Sequence, residues 1–193
     1  MLVLLQIVEN ILLLSLMGLG AFLVERFRPT LGNAAANVLG GVCFGVTAAL
    51  VTATPVAVAS SAILDTRAGP LLLAGLLGGP AGGAVAALIG VLAQGYGDSG
   101  WAASSLVVFF AYAALGALLR RTRLVDMAAP ITLGSVSIVL FASYLGALTT
   151  FFVIRSRSAA LDWLLNELPL VVFANTFSVA FSALSVGVAL TVV

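Results

Sequence analysis

Six apolar stretches, each long enough to cross a lipid bilayer, fill most of this 193-residue chain. A helix rises about 1.5 Å per residue, so about 20 apolar residues cross a hydrocarbon core about 30 Å thick. Only 8% of the residues are charged, far below the roughly 25% that covers the surface of a soluble domain. The sequence therefore predicts an all-α integral membrane protein, a bundle of about six transmembrane helices. The predicted spans are Leu2–Val24, Ala34–Thr54, Gly69–Gln94, Trp101–Leu119, Ala129–Ile154 and Leu168–Val193.

The residue types that the chain lacks narrow its function. It contains no histidine and no lysine, which removes the commonest general base, the usual zinc ligand and the Schiff-base nucleophile. Its single cysteine, Cys43, excludes an internal disulfide. A net charge of +1 indicates no nucleic-acid partner. We therefore expect no enzyme activity, no cofactor and no metal site.

The connectors between the predicted spans hold nearly every charge and bear on orientation. With six spans, the eight arginines divide equally between the two faces of the membrane. The face that carries both termini holds Arg67, Arg120, Arg121 and Arg123, and the other holds Arg26, Arg28, Arg155 and Arg157. The count alone does not decide orientation, but the dense cluster that ends the fourth span favours both termini in the cytoplasm.

Three short segments of the sequence allow more than one structural interpretation or lie outside the predicted spans. Val56–Leu64 follows Pro55 and could extend the second helix, re-enter the membrane, or pack as irregular backbone inside the bundle. Ser158–Glu167 resembles a short interfacial helix. Gln6, Glu9 and Asn10 share one helix face, and Glu9 is either a functional intramembrane carboxylate or a side chain that reaches the membrane surface.

The third predicted span has the most specific pattern. Its small residues recur every four positions and allow close helix packing, and Pro80 breaks or kinks the helix in its middle. Freed backbone groups of this kind occur at ligand sites inside membrane proteins, although a tightly packed, kinked helix also explains the pattern. Asp65 and Arg67 precede the span. Arg67 could bind a carboxylate or phosphate with its planar fork, or pair with Asp65 in a loop.

These residues resemble the LytS/YhcK-type five-transmembrane receptor domain over about residues 33–121. The resemblance rests on Asn33-Ala34, Gly40-Gly41-Val42-Cys43-Phe44-Gly45, Leu64-Asp65-Thr66-Arg67 and Ala74-Gly75-Leu76-Leu77-Gly78-Gly79-Pro80-Ala81-Gly82-Gly83. It implies a sensor module of the bacterial cytoplasmic membrane, with both termini inside. Such modules bind a small molecule, in some members a small carboxylate such as pyruvate. They signal to a cytoplasmic kinase, as in two-component systems, or to a cyclase. The output domains of the family act as dimers, so we expect a homodimer.

The resemblance also implies a ligand site among the second, third and fourth spans, with Arg67 as the carboxylate-binding candidate. The family usually carries an arginine near the end of the third span, and here Gln94 or Tyr96 takes that place as a neutral donor. This departure bears on which ligand is bound. The predicted ligand-binding residues are Asp65, Arg67, Gly78, Gly79, Pro80, Gln94, Tyr96 and Ser105.

We therefore interpret residues 1–193 as a single transmembrane sensor domain whose output domain is absent or removed after Val193. The alternative is the substrate-binding membrane subunit of an energy-coupling-factor vitamin transporter, which also consists of short, Gly- and Ala-rich helices. Gly95-Tyr96-Gly97-Asp98 spells a potassium-channel filter and an intramembrane protease motif. The pore helix that a filter needs and the second embedded aspartate that a protease needs are both missing, so we reject both.

Overall fold

The computed structural model describes residues 2–54, 56–57, 63–64, 66–97, 103–122, 141 and 168–191. These residues form four helices and one small antiparallel ribbon. The helices are α1 (Leu2–Ala53), α2 (Ala68–Gly97), α3 (Ala103–Thr122) and α4 (Leu168–Leu190). The ribbon pairs β1 (Val56–Ala57) with β2 (Ile63–Leu64). The all-α prediction thus holds for these residues apart from the ribbon, and α1 ends before Val56 rather than extending into it.

α1 is a helical hairpin that reverses at Gly32. Gly32 has φ 77° and ψ 159°, a backbone conformation that is essentially restricted to glycine. The Asn10 side-chain amide donates a hydrogen bond to the carbonyl of Thr54 over 3.0 Å. A straight helix would separate these residues by about 66 Å. The two arms correspond to the first two predicted spans, and the charged residues from Glu25 to Arg28 lie on the first arm, near the turn.

α2 also doubles back, at Gly79. Gly79 has φ 64° and ψ −161°, and Pro80 after it has no N–H to continue the helix. The guanidinium of Arg67 donates to the amide oxygen of Gln94 over 3.2 Å, whereas a straight helix would separate these residues by about 40 Å. The predicted break of the helix at Pro80 is therefore present, but Gly69–Gln94 does not cross the membrane as one span. The sequence locates the break, but the helix reverses there instead of bending.

The two arms of α2 differ in their surroundings. The inner arm, residues 68–78, is about 17 Å long at 1.5 Å per residue, too short to cross a bilayer. Ala68, Leu71, Leu72, Leu73 and Ala74 on this arm are fully buried. The outer arm, residues 80–97, is long enough to span. Helix ends at membrane depth are tolerated only where protein shields them, and the other helices provide that shield.

α3 packs against both arms of α2 at very short range. A methyl group added at Gly75 would lie 2.7 Å from the amide nitrogen of Ala117. One added at Gly116 would lie 2.9 Å from the amide nitrogen of Leu76. The glycines therefore let two backbones touch, as the small-residue pattern predicts. Phe109 near the start of α3 contacts Gly90 on the outer arm, and Ala113 contacts Gly83, so α3 runs antiparallel to that arm.

α4 runs parallel to the first arm of α1. Ser178 on α4 contacts Thr66, which itself bonds to Asn10 of α1, and seven residues later Ser185 meets Gly18 of α1. Leu2 and Leu190 therefore lie toward opposite ends of the bundle, and the expectation that both termini share a face is not met. We name the two ends by their residues: the Arg67 end and the Gly32 end.

The fold-back of α2 also changes the distribution of charge. The sequence-based topology placed Arg67 and Arg120 on the same face, and this is wrong. Because the outer arm returns to the Arg67 end, α3 begins there and carries Arg120 to the Gly32 end, where its guanidinium donates to the Leu77 carbonyl. Among the described arginines, Arg67 lies at one end, and the other holds Arg26, Arg28, Arg120 and Arg121.

The outer surface of the bundle is apolar, as a lipid-facing surface must be. Leu12 is 59% exposed and Leu16 is 60% exposed on the outside of α1. Among the described residues, two helices contain stretches that are apolar and long enough to cross a membrane, Val8–Ala53 and Ala68–Gly95, and Thr176–Leu190 is a shorter apolar helix. The count of about six spans is not confirmed. The predicted fifth span, Ala129–Ile154, and the predicted interfacial helix, Ser158–Glu167, lie outside the described residues except for Phe141.

Candidate ligand-binding site

The side chain of Arg67 lies between α2 and α3 at the Arg67 end, where Gln94 and Phe109 contact it. Its Nη1 donates to Gln94 Oε1 over 3.2 Å. Its guanidinium carbon lies 4.7 Å from the centre of the Phe109 ring, a distance typical of a cation–π interaction. Arg67 is half-buried, while Phe109 is fully buried. The result is a fixed, partly desolvated positive charge inside an apolar bundle.

The fold-back of α2 creates this arrangement from residues that are far apart in sequence. Gln94 lies near the end of the outer arm, and only the reversal at Gly79 returns it to Arg67. Phe109 reaches the guanidinium because Gly90 on the outer arm has no side chain. A methyl group added at Gly90 would clash with the Phe109 ring, with the ring Cζ already at 3.3 Å. Gly90 is thus part of the construction of the site.

The N-terminus of the inner arm is capped from within the protein. The amide of Gly69 donates to Ser178 Oγ over 3.1 Å. Pro70 has no N–H, and the amide of Leu71 already donates to the Arg67 carbonyl over 3.3 Å. A helix N-terminus can bind an anion through its unpaired N–H groups. Here the N–H groups of Gly69 and Leu71 already donate hydrogen bonds within the protein, so the main attraction for an anion comes from Arg67.

A buried polar chain lies beside this cap. The hydroxyl of Thr66 donates to Asn10 Oδ1 over 2.7 Å, and the Asn10 amide donates to the carbonyls of Gln6, over 3.1 Å, and Thr54. Asn10 is 3% exposed, whereas its neighbour Glu9 is exposed. Asn10 and Glu9 belong to the same polar face of the first predicted span, but only Asn10 of these two points into the bundle.

The structure brings together two of the predicted site residues, Arg67 and Gln94. Gly78, Gly79 and Pro80 lie at the reversal of α2, about 18 Å along the inner arm from Arg67. They are therefore not part of this cluster. Tyr96 and Ser105 lie on α2 and α3, but their side chains are outside the described residues, as is all of Asp65.

The glycines and proline of the third predicted span serve packing at the Gly32 end. A methyl group at Gly78 would lie 3.0 Å from the carbonyl oxygen of Asn37, and one at Gly79 would lie 3.2 Å from Nη1 of Arg120. Arg120 donates to the carbonyl of Leu77, which ends the inner arm. A cation at a helix C-terminus satisfies orphan carbonyls and opposes the negative end of the helix dipole.

A cleft with a volume of about 10 Å³ opens at the Gly32 end, among residues of α1 and α2. Its polar rim is the ion pair between Arg28 and Glu25, with a nitrogen–oxygen distance of 2.5 Å. Arg28 also donates to the Asn37 amide oxygen over 3.3 Å. Its walls are apolar and include Phe44 and Leu77. The ion pair therefore gives this cleft a polar rim of no net charge.

Sequence reasoning missed Phe109, Thr66 and Ser178 as parts of the Arg67 cluster. Phe109 is one apolar residue among many in a predicted span, so no pattern distinguishes it. Ser178 is one of several polar residues in the last predicted span, and nothing in the sequence identifies Thr66 and Gly69 as its partners. The sequence position of Thr66 could have identified it, because it lies between Asp65 and Arg67, which are both predicted ligand-binding residues.

Comparison with known proteins adds one finding. No curated protein and no solved structure matches the chain. The family model described as "5TMR of 5TMR-LYT" matches residues 24–188, which is most of the sequence and includes Arg67, Gln94, Phe109 and Ser178. The resemblance found over residues 33–121 is therefore confirmed and extends into α4. The protein belongs to the 5TMR-LYT family of five-transmembrane receptor domains.

Proposed function

We propose that this protein is a membrane-embedded sensory domain that binds a small monocarboxylate at Arg67. The supporting observation is the partly desolvated guanidinium between Gln94 and Phe109. A guanidinium fork matches the two oxygens of a carboxylate, and lower local dielectric strengthens the attraction. Membership of a five-transmembrane receptor family supports sensing over the alternative of vitamin transport. The role proposed for Arg67 is binding, with no catalytic step.

The charge of the cluster suggests the class of ligand. Arg67 supplies one positive charge, and Gln94 occupies the place where the resemblance implies a second arginine. The Arg67 fork matches the two oxygens of one carboxylate, whereas the neutral Gln94 side chain would leave a second carboxylate of the ligand without a charged partner in an apolar bundle, at considerable cost. The Gln94 amide can still hydrogen-bond a neutral oxygen of the ligand. We therefore expect preference for monocarboxylates over dicarboxylates.

We further propose that the Gly32 end faces the cytoplasm of a bacterial cell. Four of the five described arginines, Arg26, Arg28, Arg120 and Arg121, lie there, and cytoplasmic loops are enriched in basic residues. The ligand would then approach Arg67 from the outer face. The end of α4 would lie on the cytoplasmic face, where a kinase or cyclase output domain and a homodimer partner would receive the signal.

The test is ligand-dependent thermal stability of the purified protein in detergent. Acetate, lactate, pyruvate, succinate and a set of vitamins are each added to the wild type. At about 100 times Kd a ligand that binds only the folded state adds about 2.7 kcal/mol, which raises Tm by about 5–11 °C for a chain of this size. We expect this from one of the monocarboxylates, with a smaller shift from succinate.

Three variants assign the effect to the site. Arg67→Gln should abolish the shift, and Arg67→Lys should weaken it because lysine keeps the charge but not the fork. Arg26→Gln is the matched control, since Arg26 is exposed and lies at the other end of the bundle. Stabilisation by a vitamin that survives Arg67→Gln would refute the proposal and favour the transporter alternative.

A further inference from the structure

We propose that Ser178 on α4 and Asn10 on α1 are positioning residues that clamp Thr66, and thereby hold Arg67 toward Gln94 and couple α4 to the site. This inference deepens the proposed carboxylate site and rests on it. The geometry that carries the clamp is independent of any ligand. It consists of hydrogen bonds between three elements that meet at the turn from Thr66 to Gly69.

Ser178 bridges the two ends of that turn. Its Oγ donates to the Thr66 carbonyl and accepts from the Gly69 amide over 3.1 Å. Thr66 precedes Arg67, and Gly69 follows it by two residues. Both partners of Ser178 are backbone groups, so the two bonds restrict the dihedral angles of the intervening residues. One hydroxyl on α4 thus helps to set the direction in which the Arg67 side chain leaves the backbone.

Asn10 holds the same turn from the opposite side. Its Oδ1 accepts the Thr66 hydroxyl over 2.7 Å, while its amide is anchored to the carbonyl of Thr54. Thr66 is 2% exposed and Ser178 is fully buried. With little competing water, a lost bond would leave backbone groups unsatisfied, so the clamp is costly to open. Thr66 is therefore bonded to α1 and to α4 at once.

The clamp makes α4 responsive to Arg67. A carboxylate that binds the guanidinium where the clamp holds it, beside Gln94, favours the clamped arrangement of the turn, and the turn is bonded to α4. Hydrogen bonds weaken beyond about 3.2 Å, so a shift of the turn by about 1 Å either moves Ser178 with it or breaks the bond. By linkage, the factor by which carboxylate binding favours the clamped arrangement of α4 equals the factor by which that arrangement raises carboxylate affinity.

Ser182 provides a matched control on the same helix. It lies one turn beyond Ser178, and it is also fully buried. Within the part of the chain that the structure describes, its hydroxyl makes no hydrogen bond. Ser182→Ala therefore removes the same buried atom as Ser178→Ala without removing a clamp bond.

The first experiment needs no ligand. Purified protein is treated with phenylglyoxal, which modifies accessible arginines, and the rate at Arg67 is followed by mass spectrometry. We expect the rate to rise about fivefold or more in Ser178→Ala and in Thr66→Val, and to stay within twofold of the wild type in Ser182→Ala and Thr66→Ser. Ser178→Cys, which keeps a weaker donor, replaces Ser178→Ala if that variant aggregates, with a smaller rise expected.

The second experiment measures coupling with pyruvate as the probe. We expect Kd to rise about tenfold in Ser178→Ala and less than twofold in Ser182→Ala. Hydrogen exchange of residues 178–190 should change on pyruvate addition in the wild type and in Ser182→Ala, and not in Ser178→Ala.

The two experiments separate the failure of each idea. Equal Arg67 modification rates in Ser178→Ala and Ser182→Ala would overturn the clamp, whether or not pyruvate binds. A clear difference in those rates, with no pyruvate binding by the wild type, would support the clamp and refute pyruvate as the ligand. Pyruvate binding that is equal in the two serine variants would overturn the coupling to α4.

Discussion

The contact between α2 and α3 at Gly116 predicts a large effect from one added methyl group. In Gly116→Ala the new Cβ would lie 2.9 Å from both the Leu72 carbonyl carbon and the Leu76 amide nitrogen. Ordinary contacts between such atoms are about 3.5–4.0 Å, so the two backbones must separate by about 1 Å. Both neighbours are backbone atoms, so no side-chain rotation can relieve the clash.

The magnitude follows from a comparison with Gly187→Ala on α4. A methyl group at Gly187 meets nothing within 4 Å. Both variants gain about 1 kcal/mol from the higher helix propensity of alanine, which cancels in their difference. The remaining term is overpacking at Gly116, which costs about 1–3 kcal/mol. For a chain of this size the Tm of Gly116→Ala should fall below that of Gly187→Ala by about 2–12 °C.

The assay is thermal unfolding of both variants in the same detergent, with the Arg67 modification rate as a second measurement. Separation of α3 from α2 also moves Phe109 away from the Arg67 guanidinium, now at 4.7 Å from the ring centre, so this rate should rise in Gly116→Ala. Equal Tm values for the two variants would show that α2 and α3 do not approach as closely as described, and would refute the reasoning.

Two further substitutions test the Gly32 end. Gly32→Ala places a side chain where φ is 77°, and no atom lies within 4 Å of the added Cβ. The expected loss of about 1–3 kcal/mol in unfolding free energy is therefore due to backbone strain alone. Chemical denaturation measures this loss, and an unchanged free energy would argue against the turn at Gly32. Arg120→Gln removes the guanidinium that donates to the Leu77 carbonyl, and the loss of about 1–1.5 kcal/mol should lower Tm by about 2–6 °C. The control variant Arg121→Gln, on the same helix, should change Tm by less than about 2 °C. Equal Tm shifts in the two variants would contradict capping by Arg120.

Much of the fold could be predicted because the spans are long and the charges mark their ends. The predicted Trp101–Leu119 and Leu168–Val193 correspond closely to α3 and α4, and the connector after Val24 precedes the turn at Gly32. These boundaries follow from hydropathy alone, which needs no tertiary contact.

The reversal of α2 could not be predicted in the same way. The hydropathy pattern shows one apolar segment that is long enough to cross the membrane. Gly79 followed by Pro80 is compatible with a kink in the helix and equally with a reversal. The choice depends on contacts between distant residues, such as Gly75 with Ala117 and Arg67 with Gln94. Without the reversal, the sequence-based topology places Arg120 at the wrong end of the bundle. It also places Gly78 and Gly79 in the Arg67 site, although they lie at the Gly32 end.

The inner arm of α2 also has a consequence for membrane insertion during synthesis. Ala68–Gly95 is a stretch of 28 residues, long enough for the insertion machinery to accept as one straight span. That insertion would send α3 the opposite way and place Arg120 and Arg121 on the face opposite Arg26 and Arg28. Because basic residues tend to stay together on one side of the membrane, these two arginines favour the reversed path. The charge at the end of α3 thus favours one of two routes for a helix that the ribosome makes before it.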